Sequence, residues 1–413
     1  MTSTRIDPRQ GKHTGPLAGM KVLEMAQIMA GPTCGMMLAD MGADVVKVEK
    51  LPGGDDSRSY REPLVNGVSA PFMILNRNKR GIALNLKAPQ GREILTSMVK
   101  QSDVLIENYR KGTLEKLGVG YEVLSRANPG LIYCAISGYG RSGPYADKGG
   151  FDLIAQGFAG LMSVTGEPGG PPVKTGNSVA DMNAGILAVA GITAAYVHKL
   201  KTGQGQIVET SLMEAALQQT YWHAATYFAT GESPGPTGSA HLLSAPYQAF
   251  PARDGYVNIG GANQANWERV ATVLGHPEWR DDPRFLTNTA RMQNLPALTE
   301  AMSAILKQRD KADWIAAFDA AGVPAGPVHT VGEALTHPQT LARNMVVDLV
   351  HPQAGATRAI GCPIQFSATP TQVTRPAPLL GEHSRELLRE YGYDDQQIDG
   401  FAADGVIEEA AAS

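Results

Sequence analysis

Short apolar runs alternate with longer amphipathic stretches through the first half of the chain. Met20 to Met25 (MKVLEM) and Asp44 to Glu49 (DVVKVE) have the length and β-branched content of strands, and Gly31-Pro32 opens a helical stretch to Met41 between them. The alternation continues as strand over Gly81 to Lys87, helix over Gly91 to Gln101 and strand over Asp103 to Glu107. It goes on as helix over Leu114 to Ala127, strand over Leu131 to Ser137 and helix over Phe151 to Val164. A helix running on from Thr175 to Gly185, a strand over Gln206 to Thr210 and a helix from Leu212 to about Phe228 complete the series. Strands with few polar residues, separated by helices, predict a doubly wound, mostly parallel sheet covered on both faces.

The pattern breaks at Gly231 to Gly238 (GESPGPTG), where proline and glycine mark a linker or loop. Beyond it, Tyr247 to Phe250 and Tyr256 to Ile259 flank Asp254-Gly255, a hairpin signal, and helices follow at Asn266 to Leu274, Leu295 to Gln308 and Asp313 to Ala321. The predicted organisation is a large α/β domain over residues 1–230 and a smaller α+β domain over 231–327. Residues 328–413 form a linker and a segment returning to the large domain, with strand-like pieces between Val346 and Phe366 and a helix at Ser384 to Tyr391. A chain of 413 residues exceeds what one core usually serves, which fits this division.

Composition narrows the function classes. A net charge of −4 gives no electrostatic reason to expect a nucleic acid or an anionic membrane as partner. Three scattered cysteines, Cys34, Cys134 and Cys362, fit a reducing compartment, and a cytoplasmic protein is expected. No histidine spacing suggests a metal, the polar N-terminus to Thr14 lacks a signal-type apolar region, and the apolar run from Ile186 is shorter than the ~20 residues a membrane span needs.

The candidate chemistry centres on TGNSVADMNAG, Thr175 to Gly185, which places Asp181 at the mouth of the apolar run. Asn177, Ser178 and Asp181 all cap helix starts, so Asp181 is expected in the first turn, where the helix dipole favours an ionised carboxylate. An ordinary N-cap accounts for the same residues. Basic side chains recur beside the strand ends, at Lys47, Lys50, Lys79, Arg80, Lys87, Arg110, Lys111 and Lys116, either as a solvated face or as partners of a polyphosphate ligand. The turn after the first strand (QIMAGPTCG, Gln27 to Gly35) lacks the three-glycine spacing of a dinucleotide site, and no GxSxG elbow occurs.

Seven ordered blocks carry a resemblance to the class III CoA-transferases, which include formyl-CoA transferase and carnitine CoA-transferase and are related to α-methylacyl-CoA racemase. They are VLEMAQIMAGPTCGMMLADMGADVVKVEK at Val22, NRNKRGIALNLK at Asn76, DVLIENYRKGTLEKLG at Asp103, ISGYGRSGPY at Ile136, SVADMNAG at Ser178, KTGQGQ at Lys201 and PLLGEH at Pro378. The resemblance implies that Asp181 is the nucleophile, passing through aspartyl anhydride and aspartyl-CoA thioester intermediates, with an acyl-CoA and a carboxylic acid as substrates. Coenzyme A enters as substrate, and neither a prosthetic group nor a metal is implied. The positions implied to contact CoA are Met29, Ala30, Lys50, Leu84, Asn85, Lys87, Asn108, Tyr109, Arg110 and Lys116. A Rossmann-like large domain and an interlocked homodimer are also implied.

Three departures bear on function. Family members often carry Arg where this chain has Lys50 and Lys116, which removes a bidentate fork. The glycine run that closes over the site in formyl-CoA transferase corresponds to Thr237 to Pro246 (TGSAHLLSAP), so formyl transfer is not expected, and His241 in this loop is either a surface residue or one that reaches the acid pocket. The racemases use a histidine where this chain has Phe151, so racemase activity is the second reading and a silent acyl-CoA-binding subunit the third. Succinyl-CoA as donor and a small dicarboxylate as acceptor are the expected substrates.

Overall fold

The computed structural model describes residues 14–410; the N-terminal stretch before Thr14 and the last residues of the Ala-rich tail lie outside the described residues. Two compact units are present, one comprising the chain up to Ala159, Gly176–Gln219 and Pro338 onward, the other Gly160–Thr175 and Thr220–His337.

The first unit is built on a seven-stranded sheet. Its order is Ile407–Glu408, Arg80–Leu84, Asp44–Lys50, Lys21–Glu24, Val104–Glu107, Ile132–Ser137 and Gln206–Ser211. All pairings are parallel except that of Ile407–Glu408, which adds an antiparallel edge to Arg80–Leu84. Counted along the chain, the six parallel strands run 3-2-1-4-5-6, so the winding reverses between Lys21–Glu24 and Val104–Glu107. A crevice opens at the carboxyl ends of strands at such a reversal.

Alternate side chains serve opposite faces. Leu23, Val46, Ile82 and Leu105 pack with Ile94 and Met98 of the Pro89–Lys100 helix, in a cluster that also takes in Leu387 and Leu388 of the C-terminal segment. The other face is covered by the helices Ala30–Asp40 and Val179–Thr202, which lie against each other. Each fully buried Leu or Ile contributes about 1.5 to 3 kcal/mol of transfer free energy.

Several elements differ from the sequence expectation, each for a local reason. The stretch Leu114 to Ala127 is two helices, Thr113–Lys116 and Tyr121–Ala127, because Gly118 takes φ 76° between them. Gly160 at φ 84° likewise divides Asp152–Phe158 from Leu161–Val164, and Gln219-Thr220 separates Leu212–Gln218 from Tyr221–Thr230. The Ala70–Asn76 helix, capped by Ser69, and the two-residue edge strand Ile407–Glu408 were too short to show periodicity. Val179–Thr202 runs 24 residues, long and apolar enough to cross a membrane by length and composition, which corrects the reading of the shorter run from Ile186. It lies instead against the strands Ile132–Ser137 and Gln206–Ser211.

The second unit pairs Tyr247–Ala252, Gly255–Gly260 and Ala325–Pro327 in an antiparallel sheet around Trp267, Phe250, Phe285 and Phe318. Its Thr237 to Pro246 loop is held by Asn288, which receives the Ala245 N–H at 3.1 Å, and by buried Arg291, which donates to the Ala245 carbonyl at 2.6 Å. His241 stacks on Tyr247 within this unit.

Contact between the Ala30–Asp40 and Val179–Thr202 helices depends on Gly185. A Cβ there would stand 2.6 Å from the Ala30 carbonyl oxygen and 2.8 Å from Thr33 Cβ. Gly185→Ala should lower stability by about 1 to 3 kcal/mol, read from the urea midpoint, because the helices must part. Helix propensity alone favours alanine by roughly 1 kcal/mol, so a gain in stability would show the close approach to be unimportant.

Candidate active site

The segment Ala26 to Ala30 leaves the first strand at the reversal point, and its backbone is tied on all sides. Asn108, just past the fourth strand, receives the Gln27 N–H on Oδ1 at 2.9 Å and donates Nδ2 to the Gln27 carbonyl at 2.8 Å. Lys47 Nζ donates to the Ala26 carbonyl at 3.0 Å, and the Ile28 N–H reaches Asp55 Oδ1 at 3.1 Å. Ile28 sits at φ 66°, a left-handed conformation that costs a β-branched residue on the order of 1 to 3 kcal/mol. Met29 follows as the N-cap of the Ala30–Asp40 helix without a side-chain cap.

Beneath this loop lies a buried charge cluster. Glu24 pairs with Lys47 at 3.0 Å and with Lys79 at 2.7 Å, while Lys47 also meets Asp55 at 2.8 Å; Glu24 and both lysines are fully inaccessible. Gly35 leaves the room for Glu24, since a Cβ there would collide with its carboxylate. Burial alone would favour the neutral amine of Lys47, but Glu24 and Asp55 outweigh it and hold its pKa above the ordinary lysine range. For Lys79 burial wins and brings it down to about 8. Burial opposes ionisation of Asp55, yet Lys47 and Ser57 draw its pKa down to about 2. For three of the strand-end cations both sequence readings, a solvated face and a polyphosphate partner, are thereby corrected. Lys47 and Lys79 are internal counter-ions, and Arg80 is held by Asp44, Glu386 and Glu390.

The remaining candidates cluster around the same strand ends. Lys50 ends the second strand, exposed, with Nζ on Gln27 Oε1 at 3.2 Å and beside Asp56. Leu84 and Ala30 are buried, backbone included, which corrects the expectation that they touch a ligand, and the Asn85 side-chain oxygen Oδ1 accepts from the N–H of exposed Lys87. Tyr109 is half-buried, its N–H donated to Glu107 Oε2 at 2.7 Å. Burial pushes the Glu107 carboxyl up to about 7, against the Tyr109 N–H and the Arg141 charge. Arg110 is exposed with its guanidinium against Gly149, where a Cβ would come within 3.1 Å of Nε. Lys116 is exposed at the end of its short helix. Lys87, Arg110 and Lys116 form no salt bridge among the described residues.

Asp181 occupies the first turn of Val179–Thr202, as its spacing predicts. Its ionisation is the reverse of the expectation. Burial first, and the charge of Asp152 second, push its carboxyl up to about 7. Asp152, at the start of the Asp152–Phe158 helix, accepts the Ala180 N–H on Oδ1 at 2.8 Å and the Gln156 amide on Oδ2 at 2.6 Å. A second carboxylate thus already occupies part of the helix end that would have favoured ionised Asp181. One turn further, the Gly185–Ala30 contact sets this helix against the start of the loop helix.

Sequence reasoning missed Gln27, Asp55, Glu107 and Asp152. Asp55 had a signal, an acidic residue two before Ser57 in a glycine-rich turn; Gln27 and Glu107 had none beyond following or ending a strand. Phe151, at the place of the racemase histidine, is 70% exposed and has no titratable group. No group of three or more His, Cys, Asp or Glu suited to a metal occurs among the described residues. The arrangement offers two neutral-range carboxyls, of which Asp181 is only partly buried, with a loop tied on all sides and exposed cations at the strand ends, suited to covalent acyl chemistry on an anionic substrate.

The model of CoA-transferase family III matches residues 17–384. Succinate–glutarate CoA-transferase of Agrobacterium fabrum is 39% identical over 381 residues, covering 91% of this chain and 95% of its own. Human succinyl-CoA:glutarate CoA-transferase is 35% identical over 395 residues, 95% of this chain and 90% of its own. The crystal structure of a CAIB/BAIF family protein from Brucella suis superposes with a TM-score of 0.82 at 39% identity, covering 92% of this chain and all of that one. The chain belongs to CoA-transferase family III and is a CoA-transferase.

Proposed function

We propose that the enzyme moves CoA from succinyl-CoA to a small dicarboxylic acid, with Asp181 as covalent nucleophile. The observation that carries the mechanism is the placement of Asp181, a carboxyl held near neutral pKa in a helix turn that abuts the loop at the sheet reversal. The substrate assignment draws support from relatives named for succinyl-CoA and glutarate.

Ionised Asp181 attacks the donor thioester carbonyl; its C–S bond breaks, leaving a mixed anhydride and CoA thiolate. The thiolate attacks the aspartyl carbonyl, releasing the donor as carboxylate and leaving an aspartyl-CoA thioester. The acceptor carboxylate attacks that thioester, expelling thiolate, and the thiolate then takes the acceptor acyl group from the second anhydride. Asp181 returns unchanged. Lys50, Lys87, Arg110 and Lys116 meet the CoA phosphates, Tyr109 flanks the adenine, and Met29 and Asn85, both half-buried, line the path.

During turnover with succinyl-CoA, hydroxylamine should convert Asp181 to a hydroxamate, visible by mass on its peptide, and Asp181→Asn should abolish exchange. Turnover without any adduct, or deuterium entering the α-carbon of a 2-methylacyl-CoA from heavy water, would refute the covalent reading. Because the attacking form is the carboxylate, the adduct rate should rise through about pH 7 and fall roughly tenfold per unit below it. Asp152→Asn, which removes the neighbouring charge, should move that midpoint down.

Stability should run the other way. A carboxyl whose folded pKa is raised binds more protons folded than unfolded, so its penalty is absent below the unfolded pKa of about 4 and fully present above about 7. Asp181→Asn should therefore raise the melting temperature at pH 8 more than at pH 4, and an equal shift at both would show that burial does not penalise the charge.

The functional unit is a homodimer in which two chains interlock. The Val179–Thr202 helix leaves Met182, Ile186, Val197 and Leu200 exposed, with Leu200 at 69%, and Phe151 and Phe158 add to this apolar surface on the same unit. Surface of this kind on a charged protein calls for a covering partner. Light scattering should give twice the chain mass even at nanomolar dilution; a single-chain mass in native buffer would overturn the dimer.

A further inference from the structure

Asp55 is 1% exposed, so it cannot touch a ligand, yet its bonds converge on the loop that the preceding reading gives to CoA. Oδ1 receives the Ile28 N–H at 3.1 Å, the Ser57 N–H at 2.9 Å and the Ser57 hydroxyl at 2.7 Å. Oδ2 faces Lys47 at 2.8 Å and lies 3.3 Å from the same Ile28 nitrogen. Lys47 in turn holds Glu24 and the Ala26 carbonyl. Asp55 is itself fixed from behind, its N–H donated to Glu49 Oε2 at 2.9 Å, and Arg58 grips both oxygens of that carboxylate at 2.7 Å.

The pair Asp55–Lys47 therefore grips the residues on either side of Gln27, while Asn108 grips Gln27 itself. Between these three anchors Ile28 is forced to φ 66°, which an isoleucine does not adopt unless its surroundings impose it. Strain of this kind, held by fully buried charges immediately before the half-buried N-cap of a ligand-facing helix, is what preorganisation requires. The ordering cost is met on folding and is not charged against binding.

We propose that Asp55 is a positioning residue for CoA recognition, holding the Gln27–Ala30 loop in its binding shape through the Ile28 amide. The proposal rests on the reading that CoA binds at this crevice. It differs from a merely structural role in one respect: what matters to the ligand is the backbone conformation of Ile28, which glycine takes without strain.

The test measures the Kd of CoA by calorimetry, with thermal melts alongside, for the wild type, Asp55→Asn, Ile28→Gly and the double variant. Asp55→Asn keeps the size and one acceptor but loses the charge facing Lys47, and should weaken CoA by about tenfold as the loop loses its preorganised shape. Ile28→Gly alone should stay within about threefold of wild type, and in the Asp55→Asn background it should recover at least about threefold of the loss, since glycine needs no tether to reach φ > 0. Asp55→Asn with wild-type affinity, or a double variant no better than Asp55→Asn, overturns the proposal. Should Asp55→Asn fail to fold, the same comparison uses Ser57→Ala, which removes the hydroxyl donor to Oδ1 but keeps the Ser57 N–H and leaves the buried charges paired; unchanged affinity there overturns the proposal equally. A wild type that does not bind CoA overturns both readings, whereas a wild type that binds and exchanges CoA beside unaffected variants overturns only the positioning role.

Discussion

The structure depends on Glu24 being charged where no water reaches. Removing a carboxylate and two ammonium groups from water costs several kcal/mol per ion, and their mutual attraction offsets this only when the geometry is tight. That constraint reaches outward in both directions. Inward, it requires Gly35 on the helix above, because any side chain would occupy the carboxylate's space. Outward, Lys47 needs a second anion and finds Asp55, and Asp55 has oxygen capacity left for the Ile28 amide. A neutral core of similar volume would be no less stable, but it would leave the Ala26 carbonyl and the Ile28 N–H without partners at the point where the sheet reverses. The charges thus convert burial into a backbone shape.

Asp181 shows the opposite balance. Its helix start should favour the anion, and a dipole contribution of about 0.3 to 1 kcal/mol is available there. Burial and the Asp152 charge exceed it, as a carboxyl raised to about 7 requires. Asp152 is placed by its own capping of the Ala180 N–H, so the same bond that secures the helix start also brings the second negative charge close. Securing the helix and destabilising the Asp181 anion are two results of one contact.

Much of the fold was legible because hydrophobic periodicity reports burial directly. The six parallel strands stand where the alternation puts them. What failed was the assignment of charged residues. Lys47, Lys79 and Lys87 all sit near strand ends and look alike in sequence, but Lys47 and Lys79 point beneath the Ala30–Asp40 helix while Lys87 lies past the strand in solvent. Strand parity distinguishes the face a residue serves, not whether an opposite charge waits there. Glu24 is one residue among apolar neighbours, and nothing local marks it as the partner of two lysines 23 and 55 positions away. Helix ends were misplaced for a similar reason: Gly118 and Gly160 break helices through positive φ, which periodicity does not register.

The two charge environments have complementary consequences for the proposed chemistry. A nucleophilic carboxylate gains reactivity with basicity, so a pKa raised to about 7 would give Asp181 a stronger attack on a thioester than an ordinary aspartate makes. Stronger basicity alone would not help if the thioester were free to move, because the gain in attack is lost when the carbonyl is held a fraction of an ångström out of line. In the proposed mechanism the tied loop supplies the second requirement, and Gly185 joins the two by letting the Asp181 helix touch the Ala30 carbonyl. Paired charges stiffen the loop, and an unpaired one is held near Asp181 by a capping bond. In the proposed mechanism, charge is compensated where the loop is to keep a fixed shape and left uncompensated beside the carboxyl proposed to react.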